Sequence, residues 1–190
     1  MAVKTMEQNT GTGLYNAGWH ELTISSAAYD TYKSPDGKVK RYVDLNFEGY
    51  PDTMRLRMYE AKNRETDVEF KIANLFRYAC AGIIDVLKDP TGKKPVIQYD
   101  DEAVNLVGTR INAFFHKVKT DDGNEYSRIF DTIAPVEQET EHLSWTADQV
   151  TRLKHAAEKN FSKRKGTKAD TNTVDVIPKS TSTSDAELPF

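Results

Sequence analysis

Apolar and polar residues alternate with period two in three successive stretches near the start of the chain, each followed by a turn signal. Leu22 and Ile24 share one face, with Glu21, Thr23 and Ser25 on the other. This predicts a strand that opens at Gly18 and runs to about Tyr29. Ser34-Pro35-Asp36-Gly37 reads as a hairpin turn, because Pro presets φ and Gly accepts positive φ. The next stretch sets Val39, Arg41, Val43, Leu45 and Phe47 on one face and Lys40, Tyr42, Asp44 and Asn46 on the other. After a second turn at Gly49–Asp52, Met54, Leu56 and Met58 point inward while Arg55, Arg57 and Tyr59 point out. Three strands joined by short turns make an antiparallel meander.

The period then lengthens. Between Val68 and Leu87, apolar residues recur at Ile72, Phe76, Ala79, Cys80, Ile83 and Leu87. That spacing predicts a helix, with Asp67 near its start as a cap and Asp89-Pro90-Thr91-Gly92 as its stop. Lys93–Glu102 is charged and reads as an irregular surface excursion. Strand character returns over Leu106–Lys119, with Gly108 inside it as a bend or bulge. Asp121-Asp122-Gly123-Asn124 turns the chain into a fifth strand, Glu125–Ile133, which sends Ile129 and Ile133 inward and Tyr126, Arg128 and Phe130 outward. Past Pro135 the chain becomes acidic, and a helix capped by Ser144 or Thr146 is predicted to run to about Asn160.

Three strands, a helix and two strands predict a mainly β, α+β protein. The order matches a five-stranded OB-fold barrel with a helix between strands 3 and 4, and it also fits an open α+β sandwich with the helix on one sheet face. The expected layout is a flexible arm over 1–17, the β domain over 18–136, a helical extension over 137–165 and a disordered acidic tail over 166–190. The tail follows from composition: Gly166–Thr183 is rich in Thr, Ser, Asp and Lys, too polar to offset its ordering entropy.

The 190 residues, 38% hydrophobic, suit one compact domain with an appendage. A single cysteine, Cys80, excludes an intrachain disulfide framework and fits a reducing cytoplasm. On the predicted helix it reads as a small buried hydrophobe. No apolar run is long enough for a membrane span, and Met1–Gly13 lacks a signal core. His20, His116, His142 and His155 are scattered without ligand-like spacing, so neither a metal site nor a cofactor is expected. The acid pairs Asp100-Asp101 and Asp121-Asp122 fall in expected loops and read as solvated turns, which ranks a metal-dependent nuclease last. Nucleophile elbows and phosphate-binding Gly loops are missing from the sequence too, so a non-catalytic protein is expected.

Net charge is −3, and acids slightly outnumber bases between Gly18 and Val136. A nucleic-acid partner would therefore have to be held by a local stripe of cations. The outward positions offer one. Lys40, Tyr42, Arg55, Arg57 and Tyr59 lie on strands two and three, with Tyr32, Lys33 and Lys38 at the first hairpin. Trp19, Tyr126 and Arg128 come from neighbouring strands. Cations can follow phosphates while aromatic rings stack on bases. Trp19 and Phe130 are also within reach of the C-terminal helix.

With these features in hand, the chain resembles the single-stranded DNA-binding proteins of bacteria and their phages. The resemblance rests on the element order with its basic and aromatic outward face, and on the ending Asp185-Ala186-Glu187-Leu188-Pro189-Phe190. That ending is similar to the acidic, Pro-Phe-ended tip such proteins carry. The stretches at Gly18-Trp19, Leu106-Val107-Gly108 and Tyr126–Ile133 look more like the phage-encoded branch. The resemblance implies sequence-nonspecific single-stranded DNA binding in replication, recombination and repair. It also implies that Asp185, Glu187, Leu188, Pro189 and Phe190 dock host or phage replication and recombination proteins. A soluble protein of the host cytoplasm, possible self-association and no membrane partner complete the expectation. Ala186 departs from the family's run of consecutive acids, which would lessen attraction to a basic partner pocket. The competing expectation is a non-catalytic protein-interaction or phage assembly module that uses the same β face.

Overall fold

A computed structural model describes residues 15–87, 96–120 and 122–166, with side chains up to Lys163. The expected tail from residue 167 on, with its docking tip, lies outside the described residues, as does most of the expected N-terminal arm; Gly166, the first residue of that expected tail, is instead the last residue of a helix that runs past the expected end near Asn160. Tyr15, placed in that arm by the sequence reading, is packed against Tyr50 and Phe115. Its backbone N–H donates to Ser127 Oγ at 2.8 Å.

The strands are β1 (Gly18–Lys33), β2 (Val39–Phe47), β3 (Leu56–Tyr59), β4 (Ile83–Leu87), β5 (Val96–Tyr99), β6 (Arg110–Lys119), β7 (Glu125–Ala134), β8 (Gln138–Glu139) and β9 (Ser144–Trp145). The helices are α1 (Lys71–Ala79) and α2 (Ala147–Gly166). The main sheet is antiparallel, in the order β3-β2-β1-β6-β7. Its organising strand is β1. The first part of β1, Gly18–Thr23, pairs with β6, and the rest, from Ile24 to Lys33, pairs with β2, with a bulge between Ile24 and Ser26. A bulge raises local twist and lets one long strand serve two partners on a curved surface. β3 and β7, the two edges, touch. Among the described residues no ladder joins them, so the sheet is open where a closed barrel was expected.

The core lies inside the curve of the sheet. Leu22, Ile24, Val43, Leu45, Leu56, Met58, Ile111 and Phe115 are essentially sealed from solvent, and α1 closes over them with Ile72, Leu75 and Phe76. Each such side chain contributes roughly 1.5–3 kcal/mol by leaving water. The period-two faces of β2 and β3 hold for this part. Val39 departs from them: it is 65% exposed, because the β1–β2 ribbon runs past the core at that end.

The predicted helix over Val68–Leu87 is shorter than expected. α1 ends at Ala79, where Cys80 turns left-handed at φ 50° and its N–H bonds back to the carbonyls of Phe76 and Arg77. Ile83–Leu87 then becomes a strand and pairs with β5, inside the stretch read as irregular. Asp67 is not the cap either, since it sits at φ 53° outside the helix. The Glu69 carboxylate takes that role, accepting the N–H groups of Lys71, Ile72 and Ala73 at 2.7–2.8 Å. The fourth strand of the prediction begins later than Leu106. Ala103–Leu106 is a 3-10 turn, and Gly108 precedes β6 at φ +79°, donating its N–H to the Ile24 carbonyl.

α2 starts where expected. Thr146 is its cap, paired reciprocally with Gln149: Thr146 N–H donates to Gln149 Oε1, and Gln149 N–H donates to Thr146 Oγ1. The helix lies against β7. Among the described residues no helix is long and apolar enough to cross a membrane.

Candidate nucleic-acid interface

The outward face of β1, β2 and β3 is assembled by register. Across β1 and β2, Asp30 faces Tyr42 and Tyr32 faces Lys40. Across β2 and β3, Tyr42 faces Tyr59 and Asp44 faces Arg57. Side chains alternate sides along a strand, so these directly opposed residues meet on one surface. Three tyrosines gather there. The rings of Tyr42 and Tyr59 are 5.4 Å apart and those of Tyr32 and Tyr59 are 6.4 Å apart. The Arg57 guanidinium lies 4.0 Å above the Tyr42 ring.

Two aspartates that the sequence reading did not count among the site residues, Asp30 and Asp44, organise this surface. Asp44 accepts from Arg57 Nε and Nη2 at 2.7 Å each and lies 3.7 Å from Arg55. The bidentate bond to Asp44 raises the Arg57 pKa above its ordinary value. Asp30 accepts the Tyr42 hydroxyl at 2.8 Å. Its carboxyl is held below the usual range by the Thr31 N–H and then by the Tyr42 hydroxyl, while the Asp30 bond raises the Tyr42 phenol. Tyr42 is consequently buried, at 5% exposure, although its position points outward. Its ring supports Arg57, and a base cannot stack on the side that Arg57 covers. Tyr32, Tyr59, Lys40, Arg55 and Arg57 remain wholly or partly open to solvent.

The other expected contacts are spread out. Lys33 ends β1, and Lys38, in the adjoining turn, pairs with Asp36 at 3.0 Å, both well exposed. Tyr126 and Arg128 are exposed on β7, at the opposite edge of the sheet order, although β7 touches β3 in space. Trp19 is elsewhere. It lies on the outer surface of β1 and β6, packed edge-on to Phe114 at 5.3 Å and bonded to Glu158 of α2. Phe130 likewise packs against Phe161 of α2. The helix thus occupies the outer surface around Trp19, Phe114 and Phe130, and leaves the β1–β2–β3 surface open. Asp101, from one of the acid pairs, bonds Arg41 at 3.1 Å, and Arg41 in turn lies 3.7 Å over Tyr29.

No protein-family model matches this chain, and no curated protein matches it significantly. Chemically, this face presents two solvent-facing tyrosine rings, Tyr32 and Tyr59, beside one guanidinium held by a carboxylate, Arg57, and a second, Arg55, 3.7 Å from that same carboxylate.

Proposed function

We propose that the chain binds single-stranded DNA without sequence preference through the β1–β2–β3 face, as a non-catalytic protein of phage type acting in replication, recombination and repair. The observation that carries this reading is the clustering of Tyr32, Tyr42 and Tyr59 on one sheet face, with Arg57 lying 4.0 Å over Tyr42 and Lys40 and Arg55 beside it. Stacking on such groups contributes roughly 1–3 kcal/mol per base and is indifferent to base identity. The strand order supports an OB-type barrel: β1 is shared between β2 and β6, a helix follows β3, and the β3 and β7 edges touch where such a barrel would close. In this reading the Asp185–Phe190 tip recruits replication and repair enzymes in the host cytoplasm.

Titration with oligo-dT of increasing length, followed by tyrosine fluorescence, tests the reading. Quenching that saturates with length, falls with salt and is absent with duplex DNA is the expected result. Equal affinity for duplex would overturn the reading, and self-association with no oligonucleotide binding would favour a protein-interaction or assembly module. Removing Asp185–Phe190 should leave oligonucleotide binding intact and end capture of replication enzymes.

A further inference from the structure

The charge arrangement within the proposed face allows a more specific statement, which rests on the single-strand reading above. We infer that Arg57 is a stacking platform for a base and not a phosphate ligand, and that Asp44 is the positioning residue that makes it one.

Arg57 is the natural candidate for a phosphate contact, yet the Nε/Nη2 fork that would grip a phosphate in bidentate fashion is already taken by a carboxylate. The Nε hydrogen and one Nη2 hydrogen go to Asp44 at 2.7 Å, which fixes that edge of the guanidinium and leaves three of its five N–H groups outside this pair. Its guanidinium carbon lies 4.0 Å over the centre of the Tyr42 ring. The side chain, covered on the Tyr42 side, keeps 30% of its exposure, which is where a base would have to reach it. A phosphate approaching Arg57 would meet the Asp44 carboxylate in the same shell, and like charges repel at that range. A neutral base meets no such barrier. Guanidinium planes stack on bases much as aromatic rings do. Tyr42, Arg57 and a base would then form one layered stack, with the Tyr59 ring tilted at 60° beside Tyr42 and the Tyr32 ring edge-on to Tyr59, so those two rings offer separate contacts outside the stack.

The two acids also place the strand's backbone. Asp44 lies on β2, the middle strand of the face, opposite Arg57, and Asp30 lies on β1 opposite Tyr42. Phosphates are expected to keep to the margin, where Lys40 lies opposite Tyr32, Lys33 ends β1, and Arg55 is only loosely drawn to Asp44 at 3.7 Å.

The test compares Arg57→Ala, Arg57→Lys and Asp44→Asn with the wild-type chain, measuring oligo-dT affinity across a salt series, with thermal melts to show that each variant is folded. A phosphate contact on a single strand contributes about 0.7 to the slope of log affinity against log salt. A platform role predicts that Lys, which keeps the charge but has no plane, loses about as much affinity as Ala, on the order of tenfold, with the slope unchanged in both. It further predicts that Asp44→Asn, which frees Arg57 to seek a phosphate, steepens the slope by about 0.7 and weakens binding at high salt. The inference is overturned if Lys restores most of the affinity while Ala flattens the slope. It is also overturned if Asp44→Asn merely tightens binding at every salt concentration. Wild-type protein that ignores oligo-dT altogether would remove the single-strand reading, and this inference with it.

Discussion

The indole N–H of Trp19 donates to the Glu158 carboxylate at 2.6 Å, fastening the start of β1 to the second half of α2. Phe161, one turn further along, sits 5.6 Å from Phe114 and 5.5 Å from Phe130. These contacts divide the outer surface of the sheet: one part is covered by α2, and the other, with Tyr32 and Tyr59, is left to solvent.

Glu158→Ala should loosen this junction. A partly buried, charge-assisted hydrogen bond to an indole is worth about 1–3 kcal/mol. The melting temperature should fall by roughly 2–4 °C per kcal/mol for a chain of this size. Trp19 emission should shift to longer wavelength as water reaches the ring. Unchanged emission would mean that α2 does not shield Trp19 in solution. Because Trp19 lies on the covered surface, its fluorescence should respond little to oligonucleotide.

Gly82→Ala should be among the most damaging single changes. Gly82 has φ +60°, and a Cβ there would lie 2.4 Å from the backbone oxygen of Asp100. Asp100 N–H also donates to the Gly82 carbonyl at 2.8 Å, at the root of the β4–β5 hairpin. The substituted chain must separate these backbones, at a cost of about 2 kcal/mol or more. Denaturant unfolding would measure it, and a loss under 0.5 kcal/mol would contradict the close approach.

Glu69→Ala should fray the start of α1. Three first-turn N–H groups lose their acceptor, which costs about 1–2 kcal/mol, the range for a lost N-cap. Hydrogen exchange of the Lys71, Ile72 and Ala73 amides should accelerate, while β6 and β7 amides stay protected.

Tyr29 should shape the alkaline limb of stability. Burial, only partly opposed by Arg41, pushes its phenol up from 10.0 to about 12. The folded chain therefore keeps a proton that the unfolded chain releases, and stability falls as pH rises from 10 toward 12. Tyr29→Phe should make that fall shallower, and difference absorbance should assign the missing late-titrating phenol to Tyr29.

At the acid end, Asp36 is held down at about 2, first by the Ser34 hydroxyl and then by Lys38. Its contribution to the β1–β2 turn is present above the unfolded value of 3.8 and disappears as pH falls toward 2. Asp36→Asn should remove that part of the pH dependence; a profile identical to wild type between pH 4 and 2 would show that the turn does not depend on the carboxylate.

Much of this fold could be read from residue order. Alternation along β2, β3 and β7 reflects a face toward the core and a face toward water, and that is a local property of the chain. Ser34-Pro35-Asp36-Gly37 and the Thr146–Gln149 box are local too, because their hydrogen bonds close within a few residues. The stretch Ile83–Leu87 was not decided locally. Its apolar residues suit a helix or a strand, and only pairing with Val96–Tyr99, after the left-handed turn at Cys80, selects the strand. The candidate site shows the same division. The sequence by itself determined which residues of β2 and β3 face outward, including Tyr42, Arg57 and Tyr59. Tertiary structure alone decided that Asp44 holds Arg57 thirteen residues away, that Tyr42 is buried beneath it, and that α2 covers Trp19 across 139 residues. The reason is physical: periodicity records which way a side chain points, whereas charge neutralisation and stacking depend on what the neighbouring strand or helix brings opposite it.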